Sequence, residues 1–175
     1  MGAALVTPHA LWADTPVSAL RAADHLLLRL AAELALPEGT FGCTHLVRGE
    51  RPRVALSFTL PSEPLQRTAE ERLMALGYEV TPGVPDAVGR AVLYPGVSSL
   101  TGTLTVAQLL EHSAIDRVTV LGTRDQLAPD TLLVTRDHVR PQWLDGELVL
   151  TVMPAVGGTL VPFEVPEPTP CCADH

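Results

Sequence analysis

Residues 53–80 read RVALSFTLPSEPLQRTAEERLMALGYEV. Val54, Leu56, Phe58 and Leu60 alternate with Arg53, Ala55, Ser57 and Thr59, the period of a half-buried strand. Ser62 stands where a helix needs an N-cap, and Leu65, Ala69, Leu73 and Leu76 then recur on one helical face. Gly77 is the matching C-terminal stop. Tyr78-Glu79-Val80 returns to strand character. Strand, helix, Leu-Gly and strand in this order predict a βαβ or split-βαβ unit.

Toward the N-terminus, Phe41, Cys43, His45 and Val47 share one face of a predicted strand over 41–47. Residues 48–52 make its turn into the next strand, and Arg48, Arg51 and Arg53 cluster there. A solvated hairpin tip accounts for these arginines more simply than an anion cradle. Thr15-Pro16 predicts the start of a helix that runs to about Leu36 and stops before Pro37 and Gly39. Leu20, Ala23, Leu27, Leu30, Ala31 and Leu34 form its apolar face, and His25 lies on the polar side. Residues 1–14 read as an arm packed on the body through Trp12.

Toward the C-terminus, a short strand over 91–94 ends at Pro95-Gly96, and residues 98–102 read as a linker. Thr105 and Gln108 have the spacing of a capping box for a short helix to His112. From there the pattern is β. Residues 117–121 and 131–136 read as strands, and 139–144 and 147–153 flank Asp145-Gly146, a strong hairpin signal. Gly157-Gly158 turns the chain into 159–165. The expected fold is therefore α+β. A split-βαβ-like α/β unit over 1–96 precedes a mostly antiparallel half with one helix over 97–165. A stiff Pro-rich tail over 166–175 follows.

All 12 basic residues are Arg, the chain has no Lys or Asn, and its net charge is -8. Arg-for-Lys usage with a single Ile suggests a GC-rich, bacterial source. The charge argues against a nucleic-acid partner, whose binding rests on phosphate neutralisation. No run of roughly 18 apolar residues predicts a membrane span, and no basic leader precedes an apolar run. A cytoplasmic protein is expected, with reduced thiols.

The three cysteines sit in two short pieces, FGCTH at 41–45 and CCADH at 171–175, each with a histidine. Cys43 and His45, two apart on a strand, can face one ion. Cys171 or Cys172 with His175 supplies a second pair. Together they form a tetrahedral donor set for zinc or another thiophilic ion. Glu164 and Asp174 are candidate extra oxygen donors. The bland alternative is a core cysteine at 43 and a frayed tail. Three functions follow: a metal-binding domain, a small zinc- or thiol-dependent enzyme, or a protein-interaction module, its partner another protein or a second copy, with no chemistry at its cysteines. No phosphate loop, Gly-x-Ser-x-Gly elbow or His-Glu-x-x-His motif is present, and no catalytic pair is recognisable.

Overall fold

The computed structural model describes residues 9–166. The first four strands are β1 (Ala10–Ala13), β2 (Phe41–Val47), β3 (Arg53–Thr59) and β4 (Val80–Pro82). Helix α1 (Leu20–Glu33) joins β1 to β2, and helix α2 (Glu63–Ala75) joins β3 to β4. The strands lie in the order β4-β1-β3-β2, and each neighbouring pair is antiparallel. Strands β3 and β4 are therefore parallel with β1 between them, and β1 and β2 are parallel with β3 between them. This double split-βαβ is the ferredoxin-like arrangement. The expected N-terminal α/β unit is present, and the arm read over 1–14 contains an inner strand instead.

Both helices pack on one face. Leu27 and Leu30 of α1 and Leu73 of α2 are buried against Leu11, Val54, Leu56 and Phe58. Each fully buried leucine contributes about 1.5–3 kcal/mol. A Cβ on Gly42 would lie 2.9 Å from a Leu27 methyl, so the glycine lets α1 approach β2 closely. Helix α1 starts later than its sequence suggests, because Thr15 is used otherwise. Its hydroxyl donates to the Val54 carbonyl at 2.6 Å, and Ala19 occupies the N-cap with no side-chain bond.

Strand β5 (Arg90–Leu93) adds to the outer edge of β2. The remaining strands are β6 (Thr103–Thr105), β7 (Arg117–Val120), β8 (Leu132–Val134), β9 (Gln142–Leu144), β10 (Glu147–Pro154) and β11 (Leu160–Pro162). They continue the same sheet in the order β5-β9-β10-β11-β8-β6, with β7 on the other side of β10. The pairings are antiparallel except β7 with β10 and β8 with β11. Strand β6 and a 3-10 turn at Val97–Ser99 stand in and beside the expected linker.

Helix α3 (Val106–His112) has the full capping box: the Thr105 hydroxyl accepts from Gln108 N at 3.1 Å, and Gln108 Oε1 accepts from Thr105 N at 2.9 Å. Asp145 and Gly146, both at positive φ, form the expected hairpin turn. The core of this half lies on the sheet face opposite α1 and α2. Tyr94, Leu109, Leu133, Leu148, Leu150 and Val152 fill it, and Cys43 and Ala91 reach into it from the first unit. Among the described residues no helix is long and apolar enough to cross a membrane.

Candidate functional site

Register decides where Cys43 and His45 point. Strand β2 alternates, so Gly42, Thr44 and Leu46 face the helices while Phe41, Cys43 and His45 face the other way. Cys43 lies opposite Ser57 on β3 and Ala91 on β5, and His45 lies opposite Ala55. Cys43 and His45 share one face, as the strand pattern implied, and both are buried. Gly89 closes over them: a Cβ there would stand 3.0 Å from both the Cys43 Cβ and the His45 Cε1.

His45 is held at both ring nitrogens. Its Nδ1 lies 3.0 Å from Asp86 Oδ1, and its Nε2 lies 2.7 Å from Ser57 Oγ. Asp86 Oδ1 also accepts from Val88 N at 2.9 Å. A carboxylate can only accept, so Nδ1 carries the proton and Nε2 offers its lone pair to the Ser57 hydroxyl. Burial pushes the His45 pKa below the ordinary histidine value, and the hydrogen bond and charge of Asp86 oppose this only in part. The imidazole is thus neutral. The Cys43 sulfur meets the side chains of Trp143 and Ser57, but burial dominates and pushes the thiol up to about 12. The result is a chain of polar contacts from Trp143 on β9 through Cys43, Ser57 and His45 to Asp86.

This geometry bears directly on metal binding. Thiolate and neutral imidazole lone pairs are what an ion requires. The Cys43 sulfur is buried beside Ser57 and Trp143, and the unprotonated nitrogen of His45 is engaged by Ser57. Among the described residues no group of three or more His, Cys, Asp or Glu side chains could hold an ion. Cys171, Cys172, His175 and Asp174 lie outside the described residues. Glu164 takes another role.

That role is a buried charge cluster on the opposite face. Arg90 Nη1 and Nη2 reach the two Asp24 oxygens at 2.6 and 3.0 Å. Arg90 Nε donates to Glu164 Oε2 at 2.8 Å, and Nη2 also donates to Glu164 Oε1. Nη1 completes the set with Thr44 Oγ1 at 3.2 Å. All five guanidinium N–H groups are used. Arg140 Nε adds 3.1 Å to Asp24, and His138 Nε2 lies 3.0 Å from Glu164. The cluster bolts α1 to the C-terminal half. The arginine cluster predicted at 48–53 has no such order; of the three, Arg53 pairs with Asp14.

Helices α1 and α2 cover only the first part of their sheet face. In register, Arg90 is followed across the sheet by Gln142 and Val149, so the same face continues onto the C-terminal half. Thr119 pairs with Thr151, Met153 with Val161, and Phe163 N bonds Thr151 O. Leu121, Met153 and Phe163 are exposed on this face, at 51%, 38% and 53%. Leu121 and Phe163 border a cleft of about 200 Å³ lined also by Val149, Thr151 and Pro162, with Arg140, Gln142 and Glu164 at its polar end.

Sequence reasoning missed this cleft and the partners of His45. The Asp145-Gly146 hairpin signal placed a strand here, and a strand has two faces. Nothing in the order of residues said that one of those faces would stay uncovered. The chain matches no family model, no curated protein and no solved structure.

Proposed function

We propose that this chain is a protein-interaction module whose described cysteine and histidine do no metal or thiol chemistry. The reading is carried by the apolar sheet face at Leu121, Met153 and Phe163, which α1 and α2 leave uncovered. Single exposed leucines are ordinary, but large apolar side chains exposed beside a cleft with a polar end mark a contact surface. Strand β10 makes it rigid, because it is paired on both sides and buried on its other face. A partner would seat an apolar side chain between Leu121 and Phe163 and reach Arg140 or Glu164 with a polar group, the usual division between apolar core and polar rim. The state of Cys43 and His45 supports the same reading by leaving no donor pair ready for an ion.

The test uses the full chain and a Leu121→Ser/Phe163→Ser double variant. Each is used for affinity capture from extract of the source cells and run alone in sedimentation velocity. A partner, or a second copy, bound by the wild type and lost by a variant with unchanged melting is expected. Equal retention by both proteins removes the reading.

A further inference from the structure

Beyond the interaction surface, we infer that Ser57 is an activated nucleophile, with His45 as its general base and Asp86 as the residue that positions the base. Ser57 Oγ is 2.7 Å from His45 Nε2, and His45 Nδ1 is 3.0 Å from Asp86 Oδ1. Nucleophile, base and orienting carboxylate are thus in hydrogen-bond sequence, as covalent catalysis at a serine requires. They come from three places in the chain: β3, β2 and the segment between β4 and β5. Asp86 is itself fixed by Val88 N at 2.9 Å.

Access to Ser57 follows from its place in the sheet. One row of cross-strand partners runs Thr81, Trp12, Ser57, Cys43, Ala91. Exposure falls along this row: Thr81 is exposed, Trp12 is half-buried, and Ser57, Cys43 and Ala91 are buried. Ser57 is therefore the first buried position in from the open β4 edge, with Trp12 between it and solvent. Rotation of Trp12 is the route to the hydroxyl that this row offers, since His45 reaches Ser57 from β2, the other neighbour of β3. The directly opposed neighbours of Ser57 are Trp12 and Cys43. Neither is charged at neutral pH, which favours a small, uncharged acyl group in an activated ester.

In the acylation step Ser57 Oγ bonds to the carbonyl carbon, and its proton passes to His45 Nε2. The ester C–O bond then breaks, and the proton leaves with the alcohol. Water hydrolyses the acyl-serine by the reverse transfers, releasing the acid. A fluorophosphonate reports the first step alone. The Oγ–P bond forms, the P–F bond breaks, and fluoride leaves with the serine proton.

The experiment treats the full chain with a fluorophosphonate and maps the adduct by peptide mass spectrometry. The expected result is one adduct on Ser57, absent in Ser57→Ala and faster to form in Trp12→Ala. His45→Gln should slow labelling on the order of 100-fold, the scale of a lost general base. Asp86→Asn should also slow it, and should move the His45 ring ¹⁵N shifts toward the other tautomer, while Asp86→Glu restores part of the rate. Melting temperatures of all variants are compared, so that unfolding is not read as lost reactivity. No adduct on Ser57 in either the wild type or Trp12→Ala overturns the inference, as does labelling at the wild-type rate in folded His45→Gln. The Leu121→Ser/Phe163→Ser variant should label normally, so failure here and failure of the interaction reading are separate results.

Discussion

Replacing Arg90 with leucine removes the hub of the buried charge cluster. The Arg90 and Asp24 side chains are only 8% and 6% exposed. Their pairing is bidentate, and every Arg90 donor is in use. Removing one partner of such a pair leaves a poorly compensated buried charge, here Asp24 with Arg140 beside it, and costs about 3–5 kcal/mol. Most of this falls on Asp24, because Glu164 is a third exposed and partly screened. For a chain of this size the cost corresponds to roughly 6–20 °C in melting temperature.

The deficit should depend on pH. Burial alone would raise the pKa values of Asp24 and Glu164, but Arg90 with Arg140 or His138 brings both below the ordinary carboxylate values. A depressed folded-state pKa stabilises above the unfolded pKa, and the benefit is lost as pH falls through the folded value. Wild type should therefore lose this stability as pH falls below about 4. In Arg90→Leu the Arg90 contribution is lost while burial stays, so the carboxyl pKa values move up, and protonation relieves part of the Asp24 charge that Arg140 alone then faces. The gap should be widest at pH 6–8 and narrow toward pH 4. Urea unfolding of both proteins across that range measures it. A deficit under about 1 kcal/mol at pH 7, or one that does not change between pH 7 and 4, would refute the assignment of cost to a stranded Asp24.

Gly96 has φ 86, and a Cβ there would meet the His112 carbonyl oxygen at 2.0 Å. Gly96→Ala should destabilise by about 2–5 kcal/mol, left-handed strain plus overpacking, measured by urea unfolding. Ala35, just past the end of α1, has φ 49, so Ala35→Gly should stabilise by about 0.5–1 kcal/mol once glycine's greater unfolded entropy is deducted. In a Cys171→Ser/Cys172→Ser variant, Cys43 should resist a thiol reagent at pH 8 until the chain is unfolded, as its burial and raised pKa require. Chelator should leave the melting temperature of the full chain unchanged; a clear drop would instead show that Cys43 and His45 give up their present contacts to an ion shared with Cys171, Cys172 and His175.

What the sequence showed and what it hid have the same physical cause, the range of the interaction that decides each feature. The Thr105–Gln108 box closes over three residues, and the Asp145-Gly146 turn closes over its own dipeptide. Both were legible because their bonds are local. Strand β3 and helix α2 were legible because periodicity is local too. Strand β1 was not: Ala10-Leu11-Trp12-Ala13 is short and apolar at every position, so no alternation marks a face, and its identity as an inner strand comes from pairing with β3 and β4. Cys43 and His45 were legible as a pair on one strand face, but the chemistry of a pair depends on what stands opposite. Ser57 is 12 positions from His45 and Asp86 is 41, and the antiparallel register of β2 with β3 brings the first of them close. Asp86 belongs to a Pro- and Gly-rich break that gives no hint of where its side chain goes. Residue types alone therefore suggested soft metal donors. The register instead gives His45 a carboxylate and a hydroxyl, and gives Cys43 a buried seat under Gly89 beside Ser57 and Trp143. The same sheet carries the other consequence. Among the described residues, extending a two-helix unit with strands that bring one further helix, placed on the other face, leaves Met153 of β10 exposed beside Leu121 and Phe163 while Val149 stays buried, and these exposed side chains are what the proposed interaction rests on.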